Sequence, residues 1–491
     1  MRALGPVSVA AAAVHAVHGG FHVIETVTKS TGNIGTPTDL SACACDHAPP
    51  PADVDRENRY TPRQHLRLIG TGVGSTSSPT SPPRPVRSPW FPCLARRSFR
   101  RRKWPSLCGE TDPTDPLMPI RAKLAQILRP ALDGHPQLRS ALKRADDSMA
   151  RLHHSVAGVV PAIIRPTPEI LFISVTGQCN YRCIGCRYER DFMVGERLDI
   201  GTVRQVLEDA RGAGVGSVRL YGGEPLLHPD LPEMIRFGTK LGLDMYVTTN
   251  GSLLDKRIDE LWNAGLRWLT IGFYGDGETF SQYTQRPGLV GRVAQSLARV
   301  RERYGKELSI QLNFVVVRPL ATMETLDLAW HLAETHDLVL HFDLYGYSIP
   351  FFTSGPNDEL AFTPEDEPLL RAFVDRVLEL RRAHPERFPH SEPFLRSIPD
   401  WVMKRADMRI PCDAYRFLWV GPDGSVQLCD TSFPLGNVKE RRLRDIVYGP
   451  EHRCAARDAF QLKCPNCTCQ VEDRIRKHAP SWRRYSREGG S

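Results

Sequence analysis

The stretch Glu169-Ile-Leu-Phe-Ile-Ser-Val-Thr-Gly-Gln-Cys179-Asn-Tyr-Arg-Cys183-Ile-Gly-Cys186 passes from an apolar, partly β-branched run into a loop that carries three cysteines. The run reads as a buried strand over 169–176. The loop sits where that strand ends. Three thiolates on one short loop can hold three irons of a [4Fe–4S] cube and leave the fourth iron open, which suits a centre that does chemistry. Zinc is a poorer reading. Structural zinc takes four ligands and usually pairs one C-x-x-C with another, and the only later histidine before residue 331, His228, lies in a different loop.

Outward from this loop the chain alternates. Apolar runs at 169–176, 217–222, 244–250, 267–274, 308–317 and 338–346 read as strands. Helical patterns fall near 199–213, 231–242, 255–265, 290–305 and 322–336, with another near 364–383. Six strand–helix units in series predict an α/β fold with a parallel sheet and right-handed crossovers. Six are too few to close an eight-unit barrel, so a partial (β/α)6 barrel is expected, with its chemistry at the C-terminal strand ends. On the sixth strand His341, Asp343 and Tyr345 share one face, and they are the candidates for moving a proton at a substrate. Thr270, Gly272 and Tyr274 share a face of the fourth. A polar network inside a barrel explains the same residues equally well.

A second cysteine group lies near the C-terminus. Cys412 is followed by Gly424 and Cys429, and later by Cys464-Pro-Asn-Cys467-Thr-Cys469. The stretch Trp419 to Leu428 alternates like a hairpin with Pro422-Asp423-Gly424 as its turn. A hairpin brings Cys412 and Cys429 together, and Cys464 and Cys467 complete four thiolates. Such a set encloses a [4Fe–4S] cluster or tetrahedral zinc, and spacing alone does not choose between them. Cys454 and Cys469 are left over, with Cys469 able to replace Cys467.

C-x3-C-x2-C after a first strand resembles the radical S-adenosylmethionine (SAM) superfamily. The resemblance implies a SAM-binding [4Fe–4S] cluster on Cys179, Cys183 and Cys186, reductive cleavage of SAM, and a 5′-deoxyadenosyl radical that removes a hydrogen atom from a substrate. Gly222-Gly223-Glu224-Pro225 is similar to the family's motif for the SAM amino group. Thr248 and Asn250, in Thr248-Thr-Asn250-Gly, are placed like its contacts to the SAM ribose and carboxylate. The same residues also read as a plain Gly-Pro turn and a common Asn-Gly turn. The fifth strand, with Asn313, occupies the family's adenine cradle. Two departures stand out. Gly185 replaces the usual aromatic residue before the third cysteine, with Tyr188 as a substitute, and Gly272-Phe-Tyr274-Gly-Asp276 replaces a Ser-x-Asp-Gly pattern. The C-terminal spacing resembles the twitch domain, the shortened form of SPASM, and implies one auxiliary [4Fe–4S] cluster on Cys412, Cys429, Cys464 and Cys467.

The remaining chain bounds the function. Apolar residues make up 41% and charged residues 24%, ordinary for a globular protein. The net charge of +8 is carried largely by residues 1–117, so no nucleic-acid partner is expected. Nine of the thirteen cysteines fall in the two groups, which points to cluster ligation in a reducing, cytoplasmic setting and not to a disulfide frame. Residues 1–117 hold 15 of the 40 prolines and no apolar period; they read as a disordered or untranslated extension, with the functional chain beginning near Met118. Residues 118–165 read as a helical segment (Leu124, Ile127, Leu128 and Leu132 at helical spacing), 166–390 as the barrel, 391–475 as the auxiliary domain and 476–491 as a basic tail. No apolar stretch is long enough to span a membrane. The expected activity is oxidation or epimerisation of a small molecule, served by a flavodoxin- or ferredoxin-type electron donor. A peptide or protein maturase is the alternative, and a non-enzymatic iron–sulfur or zinc protein a remote one.

Overall fold

The computed structural model describes residues 13–17, 21–25, 136–289, 291–349, 351–352 and 359–487. Of the N-terminal 117 residues only an antiparallel hairpin, β1 (Ala13–Val17) with β2 (Phe21–Glu25), is described. The rest of that expectation, the helical pattern over 118–135 and the last residues of the basic tail lie outside the described residues.

All six expected strands form within two residues of their expected ends: β3 (Ile170–Thr176), β4 (Ser217–Gly222), β5 (Asp244–Thr249), β6 (Trp268–Phe273), β7 (Ser309–Val316) and β8 (Val339–Leu344). Each pairs in parallel with the next. β3 shows why the sequence folds this way: all seven of its residues are buried. Leu171, Ile173 and Val175 join the core between sheet and helices, whereas Ile170 and Phe172 join a second cluster on the opposite face. A strand covered on both faces must be apolar on both, as in parallel sheets generally.

The covering helices bury one stripe each. Helix Ile200–Gly212 buries Val203, Val206, Leu207 and Ala210, the i, i+3, i+4, i+7 set, and Asp199 caps it by accepting from the Thr202 amide. Helix Met323–Thr335 is capped the same way by Thr322. Helix Gly277–Thr284, placed after β6, was not expected from the periodicity.

Beyond the six strands the sheet continues. β9 (Phe417–Val420) pairs in parallel with β3, from Ile170 opposite Phe417 to Ile173 opposite Val420. β10 (Ser425–Gln427) and β11 (Pro434–Asn437) follow antiparallel, so one nine-stranded sheet runs β11-β10-β9-β3-β4-β5-β6-β7-β8. The expected hairpin turn forms: Gly424 has φ +86°, where a side chain would be strained and would strike Asn437 Oδ1, and the Asp423 carboxylate accepts from the Ser425 amide at 2.9 Å. Helix Pro136–Val159 packs on the C-terminal segment, with Ala157 buried beside Tyr415, Ala456 and Phe460. No helix among the described residues is long and apolar enough to cross a membrane.

Candidate active site

The first cysteine loop leaves β3 and is held from three sides. Backbone amides of Arg182 and Ile184 donate to Thr284 and Tyr283 carbonyls at the end of the unexpected helix 277–284. Cys186 bridges Phe352. Arg286 Nε donates to the Asn180 carbonyl at 2.7 Å. The three thiols stand close together: burial pushes the Cys183 thiol well up, and negative charge on Cys186 and Cys179 pushes it further. Three thiols gathered in one buried loop ionise only with compensating positive charge, which iron would supply, so the donor set suits a cluster.

Gly222-Gly223-Glu224-Pro225 lies directly against this loop. The Gly223 amide donates to the Thr176 carbonyl at 2.8 Å and the Glu224 amide to the Gln178 carbonyl at 2.7 Å. A Cβ on Gly223 would stand 2.1 Å from Gln178 O, so only glycine permits this approach. The Glu224 side chain is fully buried and accepts from the Leu226 amide (2.9 Å), the Thr249 hydroxyl (2.6 Å) and the Asn250 amide (2.8 Å). Its carboxylate thus ties the loops after β4 and β5 together. Burial lifts it to about 7 despite those donors. Asn250 Nδ2 donates to Asn180 Oδ1 at 2.8 Å, which joins the third loop to the cysteine loop. Thr248 points elsewhere; its hydroxyl accepts from Arg219 Nε at 2.9 Å inside the barrel.

The catalytic candidates divide. Tyr345 is buried, and its hydroxyl donates to the Gly185 carbonyl at 2.8 Å, so it positions the cysteine loop and does not face open space. A Cβ on Gly185, at φ +79°, would meet Leu360 at 2.5 Å and the Tyr345 hydroxyl at 2.6 Å. Tyr345 therefore covers the position where an aromatic residue was missed. Tyr188 does not take that place; its ring packs on Phe192 and Phe351 and its hydroxyl shares a hydrogen with Ser174. His341 is buried, with Nδ1 2.7 Å from Asn313 Oδ1 and its ring 4.4 Å from that of His390. Asp343 is exposed on β8, beside Asn313, whose Nδ2 donates to its carboxylate at 3.5 Å. Desolvation by the surrounding protein raises its carboxyl, opposed by the positive charge of Arg219. The hydroxyl of Tyr274 folds back over Gly272, 2.2 Å from where a Cβ would be.

Two interior residues were not singled out from the sequence. Arg219 occupies an inward position of β4, with its guanidinium 4.9 Å from the Tyr221 ring; strand alternation alone would have found it. Asp430 directly follows Cys429. Its carboxylate accepts from the Tyr221 hydroxyl at 3.3 Å, and burial pushes it up to about 6.

The second group closes as a cage. Cys412, Cys429, Cys464, Cys467 and Cys469 line one cavity with Asn466 and Arg474. The hairpin and the 464–469 loop bring them together as expected. A fifth thiol, Cys469, reaches the same cavity, and its Sγ stands 3.9 Å from Asp430 Oδ2. Five thiols face the cavity, with Thr431, Asn466, Gln470 and Arg474 among the rest of its lining; such a thiol set suits an iron–sulfur cluster, as it does tetrahedral zinc. Cys186 of the first group and Cys467 and Cys469 of the second all pack against one buried cluster that includes Phe172, Tyr188, Tyr221, Phe351 and Trp419.

Comparison with known proteins agrees with these two centres. Residues 173–328 match the radical SAM superfamily and residues 412–469 match SPASM, an iron–sulfur cluster-binding domain. The GTP 3′,8-cyclase of Chlorobaculum tepidum is 33% identical over 36% of this chain and 53% of its own length. The AdoMet-dependent heme synthase of Methanosarcina barkeri is 25% identical over 62% of this chain and 89% of its own. The PqqA peptide cyclase of Gluconobacter oxydans is 29% identical over 57% and 77%. The chain spans about half the length of the cyclase. The two matched domains imply a SAM-binding [4Fe–4S] cluster, SAM and auxiliary iron–sulfur. With its three-cysteine loop at the end of β3 and its cysteine cage beyond β9, the chain carries a radical SAM superfamily domain and a C-terminal SPASM domain.

Proposed function

We propose that this chain is a cytoplasmic radical SAM enzyme that takes a hydrogen atom from a small molecule held inside the barrel, and oxidises or epimerises it. The observation that carries this reading is the shared wall: Cys186, Cys467 and Cys469 pack against the same aromatic cluster, so both centres border one interior. When bound, the cluster on Cys179, Cys183 and Cys186 together with SAM supplies a 5′-deoxyadenosyl radical, and a cluster on Cys412, Cys429, Cys464 and Cys467 supplies an electron sink. Gly222, Gly223 and Pro225 present backbone to SAM, Glu224 and Asn250 set the surrounding loops, and Thr248 holds Arg219 inside the barrel. Arg219 and Asp343 face the substrate, with Asp343 as the group that moves a proton and His341 holding Asn313 beside it. Burial excludes water from the aromatic wall, which protects a radical from side reactions. The electron donor is a flavodoxin- or ferredoxin-type protein.

A second reading, a peptide maturase, is favoured by the likeness to the PqqA peptide cyclase over most of that relative's length. The likeness to the heme synthase reaches further along this chain and favours the small molecule. The test is anaerobic reconstitution with SAM and a reductant, followed by measurement of 5′-deoxyadenosine. Metabolite and peptide fractions of a host extract are then compared for stimulation. Stimulation by the metabolite fraction is expected. No SAM cleavage at all sinks the activity, and stimulation by peptides alone sinks the substrate class.

A further inference from the structure

We propose that Arg474 raises the reduction potential of the auxiliary iron–sulfur site through its charge, as a positioning residue and not as a ligand. The inference rests on the reading of Cys412, Cys429, Cys464 and Cys467 as holding a cluster. Arg474 lines the same cavity as those thiols and is fully buried. Its donors hold the ligand-bearing segments. Nε and Nη2 donate to the Ile410 carbonyl (3.1 and 2.5 Å), Nη1 to the Cys467 carbonyl (2.7 Å), and Nη2 to Asn466 Oδ1 (3.0 Å). One backbone segment leads to Cys412 and the other carries Cys467. The guanidinium also lies over the fully buried Trp401, 4.6 Å from the ring centroid, so no water screens that side.

What distinguishes Arg474 is where its charge goes. The neighbouring cations are neutralised: Arg416 pairs with Glu169 and Asp473, Arg476 with Asp473 and Asp147, and Lys477 with Asp413. Its acceptors are backbone carbonyls and an amide oxygen, all neutral, and no carboxylate pairs with it among the described residues. A guanidinium cannot shed its proton to escape burial. Its uncompensated charge therefore acts on the thiolates. Nη1 donates to the backbone carbonyl of Cys467 itself, and Cys412 and Cys464 border the cavity that the guanidinium lines. Asp430, next to Cys429 on the barrel side, is a carboxylate that opposes part of this charge; its oxygen accepts from the Tyr221 hydroxyl at 3.3 Å. Reduction of a four-thiolate cluster adds one electron to an already anionic group. A fixed cation at close range in a low-dielectric site favours that product, and net charge around a cluster is one of the levers on its potential. A higher potential makes the site a better acceptor of the electron left on an oxidised substrate.

The test is an anaerobic redox titration followed by electron paramagnetic resonance, in a Cys183→Ala background so that the auxiliary cluster alone reports. Arg474→Gln is expected to shift the reduced fraction at a given potential at least tenfold toward oxidised, about 59 mV for a one-electron couple. Arg474→Lys keeps the charge and is expected to restore most of the shift. Where Arg474→Gln loses iron, Asn466→Asp places a carboxylate beside the guanidinium and is expected to lower the potential in the same direction. A charge-removing variant with the parent potential overturns the proposal. So does a lysine variant that falls as far as glutamine, because that result assigns the effect to hydrogen bonding. Absence of a second cluster in the parent protein instead overturns the reading of the cage itself.

Discussion

The two cysteine regions are built in opposite ways. The first takes its three thiols from one continuous loop, Cys179 to Cys186, whose geometry is set locally by the end of β3 and by the backbone of 222–225 packed against it. The second gathers five thiols from the segment before β9, the strand end after β10 and a distant loop. One leaves a coordination position open and the other surrounds its contents. An open centre suits chemistry on a bound molecule, and an enclosed one suits holding or passing an electron. The two regions should therefore fail separately.

The largest expected effect is at the open centre. Cys183→Ala should abolish 5′-deoxyadenosine formation, and iron should fall from roughly eight to about four per chain, as expected for one lost cube. Full cleavage by that variant would break the assignment. Next comes the closed centre: the double variant Cys412→Ala, Cys429→Ala should lose a similar amount of iron and all substrate turnover, while SAM cleavage without turnover persists. Zinc in place of iron at this site, found by elemental analysis, would remove the functional contrast between the regions.

A smaller effect concerns the pH response of the joint between loops. Burial raises Glu224 from 4.5 to about 7, so the folded protein prefers the protonated acid. That preference stabilises fully below about pH 4.5 and is lost as pH rises through 7. In SAM-free protein, Glu224→Gln should flatten the fall in unfolding free energy between pH 5 and 8, on the order of 2 kcal/mol. An unchanged pH slope would show that Glu224 is already ionised in the folded state. The smallest effect is at Tyr345→Phe, which removes the bond to the Gly185 carbonyl. A loss of about 1 kcal/mol in denaturant unfolding is expected, together with slower uptake of iron at the open centre only.

How much of this was legible in the sequence follows from the same contrast. The barrel strands were readable because a strand buried on both faces has to be apolar throughout, as in Ile170 to Val175. The three-cysteine loop was readable because its spacing is local. Tyr345 was misplaced among proton-moving candidates because alternation gives the face of a side chain but not its hydrogen-bond partner. Tyr188 was a wrong substitute for the aromatic residue missing at Gly185, since the residue that covers that glycine comes from beyond β8, a distance along the chain that no local pattern reports. Arg219 was within reach of strand alternation on β4, whereas Asp430 is a polar group that becomes interior only when the cage closes. β9's pairing with β3 left no local mark either, because four apolar residues, Phe417 to Val420, suit any buried strand equally.

That pairing bears on how the chain is made. In a ribosome-bound chain, β3 emerges early with the cysteine loop attached, and one of its edges has no partner until Phe417 to Val420 arrive. Until then it presents a row of unpaired amides and carbonyls flanked by apolar side chains, the kind of edge that recruits strands from other chains. A strand made late thus shields one made well before it. A chain truncated between β8 and β9 retains its three-cysteine loop but leaves this edge bare, and its fate should be decided by aggregation before catalysis is ever tested.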